Sequence, residues 1–432
     1  MISIVKDTKN KIINQGGVYF IHELIKQKGI DKLINNNLPG RHSQAVYNDS
    51  DIILGLSYSI YSGAGFLEDL NFVRSQVNKS GVLELPSTDV VTYRTRQLAD
   101  RDVDYKTKRG IIHNFNIPTK LNQALIKLGT QLNPQWKDKG QTLDYDNTIV
   151  VTTKGDSNRA YKDGCGYQPG AMFIGRNPVY IEGRNGNSPS NYQMKETLDR
   201  GITLLEEEGV KIKYLRIDTA GCQGDVMKCI KGKEIIYYIR GSDPVGLWKL
   251  LQNDIKWKRG KTSGTVSVEY WDRQWYAPGK DSLENPCRLI LYRYKRKPEE
   301  NLDLFEGEYR YYSILTTDYD STVTEVIEFY NKRGSAEQNF DRLKNDFNWS
   351  HPPFNTLAQN TVYLIFTAMA AVIYYWILRA IGKYFKELDE NIRIKRFILF
   401  FVNVPAKWIR QSRRNILKIY TTRPYEKLLA DP

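Results

Sequence analysis

Cysteine and histidine are scarce in this chain, with four of each among 432 residues. Cys165, Cys222, Cys229 and Cys287 form no CxxC pair, and so sparse a set builds no disulfide framework. A reducing cytoplasm is the expected setting. His22, His42, His113 and His351 stand far apart, without HxxxH or HExxH spacing, which argues against a zinc site. No GxSxG element and no Cys/His pairing signals a nucleophilic hydrolase. Arg259-Gly260-Lys261-Thr262 has the end of a phosphate-binding loop, but Ile255 stands where its first glycine is needed. The opening MISIVKDTKNKII has no charged segment followed by an apolar one, so secretion is not expected. The serious long apolar run is Val362 to Leu378, at the lower limit of a membrane-spanning length. In an otherwise polar chain it reads as a buried core helix, and no membrane partner is expected.

What the chain does have is positive charge. Its 41% hydrophobic and 26% charged content is that of a globular protein, while a net charge of +14 points to a polyanionic partner. Nucleic acid comes first and an acidic membrane surface second. Asp389 to Arg423 holds nine Lys and Arg against two acids, so half the surplus lies near the C-terminus.

Residues 1–137 read as an all-helical region with amphipathic runs at Val18 to Ile34 and Ile52 to Tyr61. Pro86-Ser87-Thr88-Asp89 then starts a short helix carrying Arg94 and Arg96, either a helix-turn-helix DNA reader or a plain packing helix. Residues 138–240 alternate strands and helices, beginning with TLDYDNTIVVTT and followed by strands near Ala171 to Ile174 and Pro178 to Glu182. A helix from Asn191 to Glu208 and a strand ending at Asp218 come next. Three strands, then helix, strand, helix and strand, is the order of a ribonuclease-H-like α/β core, which residues 319–350 complete. Residues 241–318 read as a β-rich insertion. Its Trp271, Trp275, Tyr292 and Tyr294 interleave with Arg273, Arg293, Lys295 and Arg296, as in a surface that stacks on bases or in ordinary cross-strand aromatic pairs. Residues 351–432 read as a helical basic region in which Arg410, Arg413 and Arg414 are candidate DNA contacts.

The chemistry gathers around YNKRGSAEQNFDRLK. On one helix, Tyr330, Arg333, Glu337 and Lys344 would share an arc of roughly 60°, with Phe340 and Leu343 on the neighbouring face. Arg333 and Glu337 at i,i+4 could equally be an ordinary surface ion pair. Two upstream acids favour a site: Asp144 and Asp146 point to one face of the first strand and compete for one role, and Asp218 ends a strand where α/β sheets open their ligand crevices. Acids from separated segments, with no His or Cys at ligand spacing, suit Mg²⁺ or Mn²⁺, and two such ions can drive in-line phosphoryl displacement.

DYDNT, RIDTAG, the YxxRxxxExxxxxxK series of residues 330–344, RNGNS at Arg184 to Ser188 and VPAKWIRQSRRNILKI near the end resemble the motifs of bacterial DDE transposases of the insertion-sequence-4-like superfamily, nearest the insertion-sequence 1380 family. The resemblance runs from about Gln141 onward. It implies Asp146, two places before Thr148, as first metal ligand with Asp144 as rival, Asp218 as second, and Glu337 as third with Asp341 as a substitute. It further implies Tyr330, Arg333 and Lys344 as holders of DNA phosphates and Trp271 and Trp275 as candidates for gripping a flipped base. The implied activity is cut-and-paste transposition through a hairpin at terminal inverted repeats, by a homodimer assembled on double-stranded DNA. A structure-selective nuclease of the same fold and a non-catalytic DNA-binding derivative are the alternatives.

Overall fold

The computed structural model describes residues 12–78, 82–161, 164–262, 266–278, 285–296 and 308–430. The opening segment read for a leader lies outside the described residues up to position 11. A short strand, Ile12–Ile13 (β1), precedes the helices Gly17–Lys28 (α1), Ile30–Asn37 (α2), Asp49–Tyr61 (α3), Asp69–Val77 (α4) and Thr88–Leu98 (α5). Gly29, at φ +72°, ends α1 in the left-handed region that glycine adopts without steric cost, and its amide caps the carbonyls of Ile25 and Lys26. Residues 1–137 are not all helical, however. Val103–Lys106 (β2) and Ile112–Asn116 (β3) form a hairpin ahead of the helix Thr119–Leu132 (α6).

Gln141–Asn147 (β4) is followed by a small sheet of Val150–Val151 (β5), Asn158–Ala160 (β6) and Gly164–Tyr167 (β7), then Gly170–Ile174 (β8) and Asn177–Arg184 (β9). Met194–Glu207 (α7), Ile212–Ile217 (β10), Gly224–Gly232 (α8), Ile236–Arg240 (β11) and Pro244–Leu251 (α9) come next. Lys258–Thr262 (β12), Val266–Tyr276 (β13), Pro286–Lys295 (β14) and Tyr309–Thr316 (β15) complete the strand-rich stretch. Helices Val323–Asn331 (α10), Gly334–Asp346 (α11) and Leu357–Gly382 (α12) follow.

Eleven strands make one mixed sheet in the order β12-β13-β14-β15-β11-β10-β4-β8-β9-β3-β2. At its centre β4 runs antiparallel to β8 and parallel to β10, which is parallel to β11. The aromatic strands are therefore not a separate sheet: β15 pairs antiparallel with β11 and carries the central sheet outward. On the opposite flank β3 pairs with β9, so the N-terminal hairpin is part of the same sheet.

Alternation puts the two sheet faces into different cores. Leu143, Tyr145, Leu215, Ile217, Tyr237 and Ile239 pack with α7 and α8, whereas Tyr238, Ile290 and Ile314 pack under α10. The largest core surrounds α12, whose most apolar window is 94% buried. Burial of each large side chain there contributes about 1.5–3 kcal/mol. Beyond α12 the chain is not wholly helical either. After Ile394–Phe397 (α13), Ala406–Gln411 (β16) and Arg414–Ile419 (β17) form a hairpin that pairs with β1, and Lys427–Ala430 (α14) follows. Expecting helix there neglected a pairing partner nearly four hundred residues away in sequence.

Candidate active site

Parallel pairing sets Asp144 on β4 opposite Arg216 on β10, and Tyr145 opposite Ile217. Side chains two residues apart share a face, so Asp146 and Asp218 come next on the same face at the ends of these strands. Asp144 is 0% exposed, and Arg216 donates from Nε and Nη2 to its two oxygens at 2.6 and 2.7 Å. Such a bidentate charge-assisted pair occupies the carboxylate. Arg216 also donates from Nη1 to the Phe329 carbonyl at 2.9 Å, which ties the end of α10 to the central strand.

Asp146 is placed differently. Its side chain is 17% exposed, Oδ1 accepts from the Asn147 amide at 2.8 Å, and Oδ2 lies 3.1 Å from Arg333 Nη1. Burial, followed by the charge of Asp218, pushes its carboxyl up to about 6, with Arg333 acting in the opposite direction. Keeping it ionised at neutral pH therefore costs on the order of 3 kcal/mol. Asp218 caps the turn Thr219–Gly221, accepting from the Ala220 amide at 2.9 Å.

The single helical stripe expected between Tyr330 and Lys344 is interrupted. α10 ends at Asn331 and α11 starts at Gly334. Between them Arg333 N donates to Tyr330 O at 2.8 Å and Ala336 N to Arg333 O at 2.7 Å, i→i+3 bonds that tighten the chain into a turn. Arg333 stands at this joint and points inward, and its Nη2 lies 3.3 Å from Glu337 Oε1. One guanidinium thus bridges Asp146 and Glu337. The Glu337 side chain is 71% exposed in the first turn of α11. Phe340, edge-on to Phe173 at 5.2 Å, and Asn339, which donates to the Gly175 carbonyl at 2.8 Å, fix α11 over the sheet. Tyr330 is 6% exposed in the core under α10, with its hydroxyl against the Arg333 guanidinium. Lys344 lies in the last turn of α11, half-buried.

The other candidates are more scattered. Asp341 is ion-paired to Arg393 at 2.6 Å and accepts from Asn345. Arg94 is no DNA reader: it is 5% exposed and holds both Asp49 oxygens at 2.7 Å and the Pro39 carbonyl, locking α5 onto α3. Arg96, on the same helix, is exposed. Trp271 and Trp275 are half-buried on β13 with Arg273 between them, 5.6 and 5.4 Å from their rings. Trp275 lines a cavity of about 160 Å³ with Cys222 and Ser242, near the loop after Asp218. Arg410, Arg413 and Arg414 are exposed on the terminal hairpin.

Among the described residues no three His, Cys, Asp or Glu side chains already form a group that could hold a metal ion. The donor chemistry nevertheless fits a hard divalent cation. Asp146 and Asp218 offer carboxylate oxygens alone, and the Asp218 repulsion that adds to burial in raising Asp146 is one a cation between them would relieve. Arg333 partly fills that role. Arg216 was missed in the sequence, although RIDTAG places it two residues before Asp218 and so on the same strand face.

The chain matches the family described as Transposase DDE domain group 1 over residues 5–432, and it belongs to that family. It is thus a transposase of the DDE class. Among solved structures it is similar to the piggyBac transposase in the cryo-EM structure of its synaptic complex with hairpin DNA: 14% identity over 88% of this chain and 76% of that one, with a TM-score of 0.42. No curated protein matches the chain.

Proposed function

We propose that this transposase binds terminal inverted repeats of a bacterial insertion sequence, nearest the insertion-sequence 1380 type, and cuts and joins DNA through carboxylates Asp146, Asp218 and Glu337 on a ribonuclease-H-like core. The observation that carries the reading is the pair Asp146 and Asp218 on one strand-end face, with Arg333 reaching across to Glu337. These three acids would hold Mg²⁺ or Mn²⁺, which supplies activation of an attacking oxygen and charge stabilisation of the leaving one.

The chain's own side chains do the positioning. Arg333 satisfies Asp146 and Glu337 before DNA arrives; a DNA phosphate competes for its guanidinium and frees the carboxylates. Tyr330, whose hydroxyl lies against the Arg333 guanidinium, donates to the same phosphate. Lys344 adds a contact one helix length away. Arg96, Trp271 and Trp275 contact DNA further out, and Trp275 stacks on a base beside the loop that follows Asp218. Two copies of the chain join two ends in the bacterial cytoplasm, and the second strand is cut through a hairpin.

Strand transfer tests this directly. Pre-cleaved duplex ends carrying the repeats that flank the gene are incubated with a target plasmid and Mg²⁺ or Mn²⁺. Covalently joined product is expected; cutting without joining would make the chain a nuclease, and binding without either would make it a non-catalytic derivative.

A further inference from the structure

The C-terminal hairpin is built as an arm. At its base, Trp408 and Leu417 face each other across the ladder and pack on the large core, Trp408 edge-on to Tyr19 at 5.1 Å. Beyond that last apolar rung on the inner face come Arg410 opposite Asn415 and Gln411 opposite Arg414, all exposed. The turn is Ser412-Arg413, with φ of 48° and 63°. Two positive φ values are the signature of the tight hairpin turn that Asn-Gly normally fills. Here a cation occupies the glycine position, at a conformational cost.

The arm is also one-signed. From Ala406 to Tyr420 there are five Lys and Arg and no acid. Among the described residues no ion pair engages Arg410, Arg413 or Arg414. The tip thus presents three arginines to the phosphates that flank the major groove, with Gln411 and Asn415, whose amides match base edges, on a two-stranded ribbon of the kind that groove admits.

We propose that the ribbon Ala406–Ile419 inserts its Arg410–Asn415 tip into the major groove of duplex DNA, apart from the carboxylate site. This rests on the reading of the chain as acting on DNA ends, and deepens it by assigning a docking mode to one surface. Double-stranded RNA, whose A-form major groove is too deep and narrow for side chains to read, should be a poor ligand for the tip.

The test uses the full-length chain and a fluorescent 30-base-pair DNA duplex of mixed sequence, beside the RNA duplex of the same sequence, with anisotropy read across a salt series. Replacing Arg410, Arg413 and Arg414 together by Ala should weaken DNA binding at least tenfold at low salt and lower the log–log salt slope by about 2.7. It should leave RNA binding nearly unchanged. A second variant, S412N with R413G, keeps the ribbon with a better turn and should lower the slope by only about 0.9. Unchanged affinity and slope in the triple variant would overturn the proposal. So would equal losses on DNA and RNA, or a loss in S412N/R413G as large as the triple variant's. Joining of pre-cleaved ends at saturating DNA separates the two ideas: a ribbon-dependent duplex binder that never joins ends refutes strand transfer alone, while a joining enzyme indifferent to the ribbon changes refutes the ribbon alone.

Discussion

Asp144 and Asp146 stand two residues apart on one strand face, yet their surroundings give them opposite tasks. Asp144 shares a buried bidentate pair with Arg216, so Asp144→Ala strands a buried guanidinium and should cost about 3–5 kcal/mol in urea denaturation. Asp146→Asn should cost far less, because it removes a charge that burial and Asp218 already disfavour. The sign of the pH dependence follows. With a folded value near 6 and an ordinary value of 3.8, Asp146 prefers its proton in the folded state, so its contribution to stability falls as pH rises from about 4 to about 6. Divalent binding must displace that proton. Mn²⁺ affinity, read by electron paramagnetic resonance, should weaken progressively below pH 6 in the wild type. Arg333 gives a second residue-level outcome: Arg333→Ala should bind Mn²⁺ more tightly than the wild type without DNA while losing affinity for DNA, and unchanged Mn²⁺ binding would contradict its bridging role.

At the scale of elements, α12 packs on the sheet face that carries Asp144 and Asp146, against Ala171, Phe173 and Ile181 beside them. A Cβ on Gly183 of β9 would collide with Thr361 Oγ1, so Gly183→Ala should destabilise the fold by roughly 1–3 kcal/mol, with part recovered by adding Thr361→Ala. Chemical denaturation of the single and double variants reads both terms. Much of this layer was legible in sequence: the alternation of TLDYDNT, the strand stopping at Asp218 and the long helix after Asn191 all have local signals. Other parts were not. Helical periodicity runs straight through Lys332 and Arg333, and only Gly334 hints that the chain tightens there. Arg94 resembles a DNA contact until Asp49, 45 residues away, is brought against it. The C-terminal hairpin depends on β1 at the other end of the chain and on a Ser-Arg turn that lacks the usual Asn-Gly marker. Distant pairing decided each of these, and no local pattern contains it.

The whole molecule joins one broad sheet to a helical core around α12, and carries a net charge of +14. That excess suits a protein whose carboxylate site would otherwise repel the phosphates it must approach. Under the proposed function, separate regions take separate tasks: carboxylates at the strand ends, a guanidinium that holds them until DNA arrives, and a basic ribbon at the far end of the chain. The central claim is that Asp146, Asp218 and Glu337 together perform strand transfer. Its most direct measurement is the joining of pre-cleaved ends to target DNA by Asp146→Asn, Asp218→Asn and Glu337→Gln beside the wild type, with end binding measured on the same preparations. Each variant should lose joining by at least about a thousandfold, of the order expected when a group acting on the transition state is removed, while binding ends as before. Joining that survives any one of these substitutions would contradict the account.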